Sequence, residues 1–179
     1  MSDRRQLEFN GTIFENIINR ELASRYSDAI VLPNVTLWSD FLEKNTQIDL
    51  LLIHPRGVFV IEAKSWRYYV TGEYGDTHWQ GKSSNLKVMS TFNPVNQNMI
   101  HIRALRNAIR TKCGVEPINF VNIVCFPDGT KIKSKCSEVC NLSLLTEKID
   151  EIILGRPIVI DTAKYLSLIT SVCKVETDA

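Results

Sequence analysis

Asp49, Glu62 and Lys64 are the residues of this chain whose types and spacing carry chemistry. They stand in residues 47–64, QIDLLLIHPRGVFVIEAK, where two apolar runs flank His54-Pro55-Arg56-Gly57. Residues 48–53 and 58–63 have strand composition, and the Pro and Gly between them favour a tight reversal. A four-residue loop would pair Ile53 with Val58, and a two-residue loop would pair His54 with Gly57. Either register sets Asp49 opposite Glu62, with Lys64 two residues further on and on the same face. An odd-sized loop or a bulge would change it.

Facing carboxylates among Leu, Ile, Val and Phe repel, and taking them out of water is costly without compensation. A divalent cation supplies that compensation. Mg²⁺ prefers oxygen ligands, is commonly held by one or two carboxylates, and keeps positions open for water and a phosphate. A lysine beside it can orient an attacking water or stabilise negative charge on a phosphorane. The other reading of the same residues is an Asp-Lys-Glu ion network at a sheet end, without a metal. Spacing alone leaves both open.

At 179 residues, 44% hydrophobic and 23% charged, the composition is that of one globular domain with a sizeable core. The formal net charge of +1 excludes a polycation, so any nucleic-acid binding needs a local basic patch. No apolar run is long enough to cross a bilayer and MSDRRQLEFN has no apolar signal core, so the expected location is cytoplasmic, away from membranes. Five cysteines, at 113, 125, 136, 140 and 173, suit a reducing compartment. Cys136 and Cys140 invite a zinc reading with Cys113 or Cys125, but no partner pair has finger-like spacing, and free thiols are expected.

The elements that must position the charges follow from periodicity. Residues 12–26 predict a helix with an apolar stripe of Ile13, Phe14, Ile17, Ile18, Leu22 and Tyr26, and Thr12-x-x-Glu15 has the form of a capping box. Residues 30–38 predict a first strand, interrupted or at an edge around Pro33. Residues 66–79 predict a short hairpin extending the sheet, and residues 81–85, with Lys82, a flexible loop. Asn93-Pro94 starts a helix with Val95, Met99, Ile102, Leu105 and Ile109 on its buried stripe and Gln97 and His101 on another face. Arg103, Arg106 and Arg110 form a basic ridge there, either phosphate-contacting or simply solvated. Residues 118–126 read as an interior strand. Lys131, Lys133 and Lys135 read as a guarded strand edge or a phosphate contact. Residues 139–145 predict a short strand, and two further helices follow, capped by Thr146 and Asp161, with Gly155 stopping the first.

Taken in order, Gly11-x-x-Phe14-Glu15, residues 47–51 (QIDLL), residues 57–66 (GVFVIEAKSW), Trp79 and Asn93-Pro94-Val95-x-Gln97 resemble the NERD (nuclease-related) domain of the PD-(D/E)XK nuclease superfamily. The resemblance covers roughly residues 10–105. Ile48 stands where the superfamily name has proline. The resemblance implies an α/β fold with a restriction-endonuclease-like αβββαβ core, a mixed central sheet flanked by helices, and extra C-terminal helices. Residues 1–179 would then be a single nuclease-related domain, with the motif-bearing core at about 10–126 and an extension over 127–179.

It also implies a divalent-metal-dependent nuclease that hydrolyses DNA phosphodiester bonds. Asp49, Glu62 and the Ala63 carbonyl would hold Mg²⁺ or Mn²⁺, Lys64 would activate water, and Glu15 and Gln97 would complete the catalytic set. His101, Arg103, Arg106 and Lys82 are the candidate DNA contacts. A nuclease-like fold can also serve as a non-catalytic DNA-binding or recruitment module. One active site cuts one strand at a time, so duplex cleavage would imply a homodimer.

Overall fold

The hairpin over residues 48–63 is the centre of the main sheet. The computed structural model describes residues 3–82, 88–156 and 160–175, with side chains from Gly11 onward. Numbered in chain order, β2 (Lys44–His54) and β3 (Gly57–Ala63) are joined by the two-residue turn Pro55-Arg56, which pairs His54 with Gly57. The register runs from there through Ile53–Val58 to Leu50–Ile61, as the sequence predicts. Gly57 has φ 155°, and a Cβ there would stand 2.9 Å from the Asn119 carbonyl, which accepts the Val58 N–H. Hence no side chain fits at this turn.

β1 (Ile30–Ser39) pairs antiparallel with β2, and β7 (Phe120–Phe126) runs parallel to β3. β9 (Val139–Asn141) and β10 (Lys174–Val175) close the order β10-β1-β2-β3-β7-β9. α1 (Asp3–Arg25) covers one face through Phe14, Ile18, Leu22 and Tyr26, joined by Leu145 and Ile149 of α3 (Leu145–Leu154). α2 (Pro94–Cys113) and α4 (Thr162–Val172) cover the other. Element order is therefore αβββαβ, the restriction-endonuclease-like core, with an insertion between β3 and α2.

The insertion corrects one expectation. β4 (Tyr69–Thr71) and β5 (His78–Lys82) do form a hairpin, but it does not extend the main sheet. With β6 (Val88–Phe92) and β8 (Lys131–Lys133) it makes a second sheet, β6-β5-β4-β8. Trp79 is fully buried beneath it with Val70, Val124 and Phe126, so the new sheet needs its own core. Gly81 and Lys82 belong to β5 rather than to a loop; residues 83–85 of that expected loop lie outside the described residues. The Lys131–Lys133 strand lies at the edge of this sheet.

Other local expectations shift by physical necessity. α1 begins at Asp3, so Thr12 is a helix-interior residue and cannot act as an N-cap. Ile13 and Ile17 are about half exposed, because one helix face holds only the i, i+4 series that actually packs. On α2 the buried stripe is Val95, Asn98, Ile102, Leu105 and Ile109, with Met99 exposed. Periodicity from Ile102 demands position 98, and apolar character had favoured Met99. Thr146 is not a cap either, since α3 starts at Leu145 directly after a 3₁₀ turn; Asp161 does cap α4, accepting from the Lys164 N–H at 3.0 Å.

The hairpin turn carries a testable pH dependence. His54 is buried, its Nδ1 accepts the Arg56 N–H at 3.1 Å, and burial pushes its imidazole below its ordinary value, with Asp28 opposing. A lowered folded-state value means that the unfolded chain binds the extra proton first. Stability from this group is therefore complete above about pH 6.5 and is lost as pH falls toward the folded-state value. His54→Gln is expected to flatten that acid-side loss in melting temperature measured between about pH 7 and pH 5. An unchanged slope would show that other groups dominate.

Candidate active site

The β2–β3 ladder stops at Leu50–Ile61, and there the strands part. Asp49 takes over as acceptor: its Oδ2 receives the Ala63 N–H at 2.8 Å. β3 continues alongside β7 alone, with the Lys64 N–H donating to the Cys125 carbonyl at 2.9 Å. A second irregularity lies on the other side of Asp49. β1 and β2 are bridged at Pro33–Leu50 and at Val35–Ile48, skipping the rung of Asn34 and Asp49, and Asn34 has φ 51°. Side-chain alternation is suspended at that rung, since both Ile48 and Leu51 pack on the α2 side. The Pro33-Asn34 interruption in the sequence thus marks the place where a carboxylate is turned inward.

Glu62 is 1% exposed and is the hub of the site. Its Oε1 receives the Gln97 amide at 2.8 Å and lies 2.6 Å from the Lys64 ammonium. Lys64 Nζ also donates to Gln97 Oε1 at 3.1 Å, closing a triangle. Oε2 faces His101 Nε2 at 3.4 Å, too poorly aligned for a hydrogen bond, so both buried atoms lack a hydrogen-bond partner. The other ring nitrogen of His101 is 2.8 Å from Thr46 Oγ1. His101, on the helix face of Gln97, is buried against Glu62.

Gln97 and His101 are aimed by two asparagines. Asn93 caps α2, its Oδ1 accepting from the Val95 and Asn96 N–H groups, while its amide donates to the Glu73 and Asp76 carbonyls. Asn98, fully buried, reaches the Val60 and Ile123 carbonyls and Asn122 Oδ1, fastening α2 to β3 and β7. Sequence reasoning missed Asn98 and Thr46. A polar residue in phase with an apolar helix stripe was the available signal for Asn98; nothing local signals Thr46.

The electrostatics of the cluster are lopsided. Burial would push the Glu62 carboxyl up, but His101 and Lys64 outweigh it and hold the group below the usual carboxylate range. Asp49 goes the other way: burial, then the Glu62 charge, push it well above its ordinary value, and the Ala63 N–H only partly offsets them. Glu15, on α1, is near enough that burial and the charge of Glu62 raise it while Lys64 lowers it. The Glu62 charge thus raises both Asp49 and Glu15, while Glu62 itself is held low by His101 and Lys64.

The predicted residues divide into two groups. Glu15, Asp49, Glu62, Ala63, Lys64, Gln97 and His101 are brought together at the opened hairpin end. Arg103 and Arg106 line a separate groove of about 300 Å³ along α2, with Met99 and Arg110. There Arg103 lies 5.1 Å over the Phe41 ring and Arg106 pairs with Glu116 at 2.7 Å. Lys82 is exposed on the second sheet. No helix among the described residues is long and apolar enough to cross a membrane.

An open-ended hairpin bearing Asp and Glu-x-Lys within an αβββαβ core defines the class of nuclease-like α/β folds. The nuclease-related domain matches residues 10–127, and the chain belongs to that family. A protein of Bacillus anthracis described only as uncharacterized is 28% identical over 125 residues, which cover 63% of this chain. The chain spans 58% of the length of that relative. No solved structure matches.

Proposed function

We propose that this nuclease-related domain is a divalent-metal-dependent nuclease acting on DNA. The observation that carries the reading is Glu62 Oε2: a buried carboxylate oxygen that accepts no hydrogen bond and meets only His101 Nε2, at 3.4 Å, beside a second carboxylate whose ionisation burial and Glu62 both oppose. Such a site is short of one cation. Among the described residues no group of three or more His, Cys, Asp or Glu side chains could hold a metal. The donor set would be Asp49, Glu62 and the Ala63 carbonyl, completed by water, an all-oxygen set that suits Mg²⁺ or Mn²⁺. The metal, when bound, supplies Lewis-acid polarisation of the scissile phosphate.

The chain's own residues supply the rest. Gln97 and Lys64 fix Glu62 through Oε1, so Oε2, which faces His101 Nε2 without a hydrogen bond, is the oxygen that would hold the metal. Lys64, one hydrogen bond from Gln97, orients the attacking water and meets negative charge developing on the phosphorane. Glu15 accepts a proton more readily than an exposed glutamate and stands where one is released. The Arg103 groove takes the flanking phosphodiester backbone.

The test is cleavage of labelled linear duplex, circular duplex and single-stranded DNA with Mg²⁺, Mn²⁺ or EDTA. Metal-dependent products lost in Asp49→Ala are expected. Products that persist in that variant would overturn the reading. Saturable DNA binding with no products would favour a recruitment module, for which the doubly satisfied Glu62 Oε1 and the small carboxylate set are the supporting observations.

Arg103→Ala is expected to weaken DNA binding about equally for all sequences and to lower the salt slope of log K by about one, the signature of a lost phosphate contact. Binding measured by fluorescence anisotropy at several salt concentrations checks this. An unchanged slope would mean that Arg103 serves only to hold Phe41.

A further inference from the structure

Two of the five cysteines stand side by side outside the candidate active site. β7 and β9 pair in parallel with Cys125 next to Cys140, both side chains belong to the same buried cluster, and the Cys125 thiol donates to the Phe126 carbonyl at 3.8 Å. Paired strands lie about 4.8 Å apart, which falls inside the Cα separation of about 4.4–6.8 Å that a disulfide spans. Cys125 is fully buried. Cys140 is 5% exposed and lies in an open groove of about 450 Å³ with Leu144, Glu147, Lys148 and Glu151. The neighbouring Cys125 thiol draws the Cys140 thiol below its usual value; burial opposes this and Lys148 adds to it.

We propose that Cys140 and Cys125 are a peroxide-reactive dithiol that closes to a disulfide. Cys140 sulfur attacks one oxygen of a hydroperoxide; the S–O bond forms, the O–O bond breaks, and the leaving oxygen takes up the thiol proton. Cys140 is then a sulfenic acid. Cys125 sulfur attacks Cys140 sulfur, the S–S bond forms, the S–O bond breaks, and hydroxide leaves as water with the Cys125 proton. With hydrogen peroxide, two thiols are oxidised and the peroxide is reduced to two waters.

Closure asks for Cβ atoms about 3.5–4.5 Å apart, closer than the strand spacing, so the strands must approach. β9 is the element able to move, as a three-residue strand at the sheet edge. β7 is not free of consequence: the Cys125 carbonyl accepts the Lys64 N–H. A disulfide therefore pulls on the peptide beside Lys64. That consequence rests on the nuclease reading, whereas the thiol chemistry does not.

The experiment treats the whole protein with hydrogen peroxide, blocks residual thiols with iodoacetamide and maps peptides by mass spectrometry without reductant. Expected is a Cys125–Cys140 linked peptide that dithiothreitol removes. In Cys125→Ser, Cys140 is expected to be trapped as a sulfenic acid by dimedone. Both thiols alkylated after peroxide in the wild type, or linkage confined to Cys113 and Cys173, would overturn the proposal. On the nuclease reading, DNA cleavage by the linked protein is expected to fall about tenfold or more and to return with dithiothreitol. Full cleavage by linked protein would overturn the pull on Lys64. Absence of cleavage in the reduced protein would overturn the nuclease reading while the peptide map still decides the dithiol.

Discussion

Asp49→Asn is expected to reduce metal-dependent DNA cleavage at least about a hundredfold while making the metal-free protein more stable. The two effects share one cause. Burial and the charge of Glu62 push the Asp49 carboxyl well above its ordinary value, so its charged form comes only at a cost to the fold. A carboxyl raised in the folded state destabilises it at neutral pH, and the penalty is relieved as pH falls through the folded-state value. Asparagine removes the charge yet keeps an oxygen for the Ala63 N–H. Each 1 kcal/mol gained should raise the melting temperature by about 2–4 °C in EDTA. Added Mg²⁺ should then raise the wild-type melting temperature and leave that of the variant unmoved. Equal responses of the two proteins to Mg²⁺ would remove Asp49 from the metal site.

Lys64→Met separates binding from turnover. The methionine keeps most of the stem but none of the charge, so the water-orienting group is lost while the DNA-facing surface is not. Cleavage is expected to drop about a hundredfold or more. DNA affinity measured with Ca²⁺, where cleavage is suppressed, should change by no more than a few-fold. Stability should fall too, by about 2 kcal/mol, because Glu62 keeps its burial and loses its 2.6 Å partner. The sign at Glu62 is opposite to that at Asp49. A lowered carboxyl contributes stability above its unfolded value that is lost as pH falls, so the variant should lose part of that acid dependence. Wild-type turnover in Lys64→Met would reduce the lysine to a structural ion-pair partner of Glu62.

Comparison of sequence with structure shows where local information ends. The hairpin was legible because an even-sized loop and a period of two leave one register, which holds from His54–Gly57 to Leu50–Ile61 and stops one rung short of Asp49 and Glu62. The caps at Asn93 and Asp161 were legible for the same reason, being satisfied within a few residues. The second sheet was not, since β4 and β8 are three-residue strands that pair although β5, β6, α2 and β7 lie between them in the chain. Contacts made across the fold were not legible. The sequence sets His101 on the helix face of Gln97 but not against Thr46 and Glu62, which come from strands far away in sequence. Asn98 was hidden inside an apolar stripe, where hydrophobicity pointed one position too far along.

The parallel pairing of β3 with β7 has a kinetic consequence. The β2–β3 hairpin is local and can form within microseconds. Cys125, by contrast, reaches Lys64 only across the intervening β4, β5, β6 and α2, a long loop to close before that contact is gained. Asp49 and Glu62 therefore face each other early in folding, while the backbone that seats Lys64 and the helix that brings Gln97 arrive late. During synthesis the chain would carry its carboxylates without a finished reaction centre until β7 has emerged and docked.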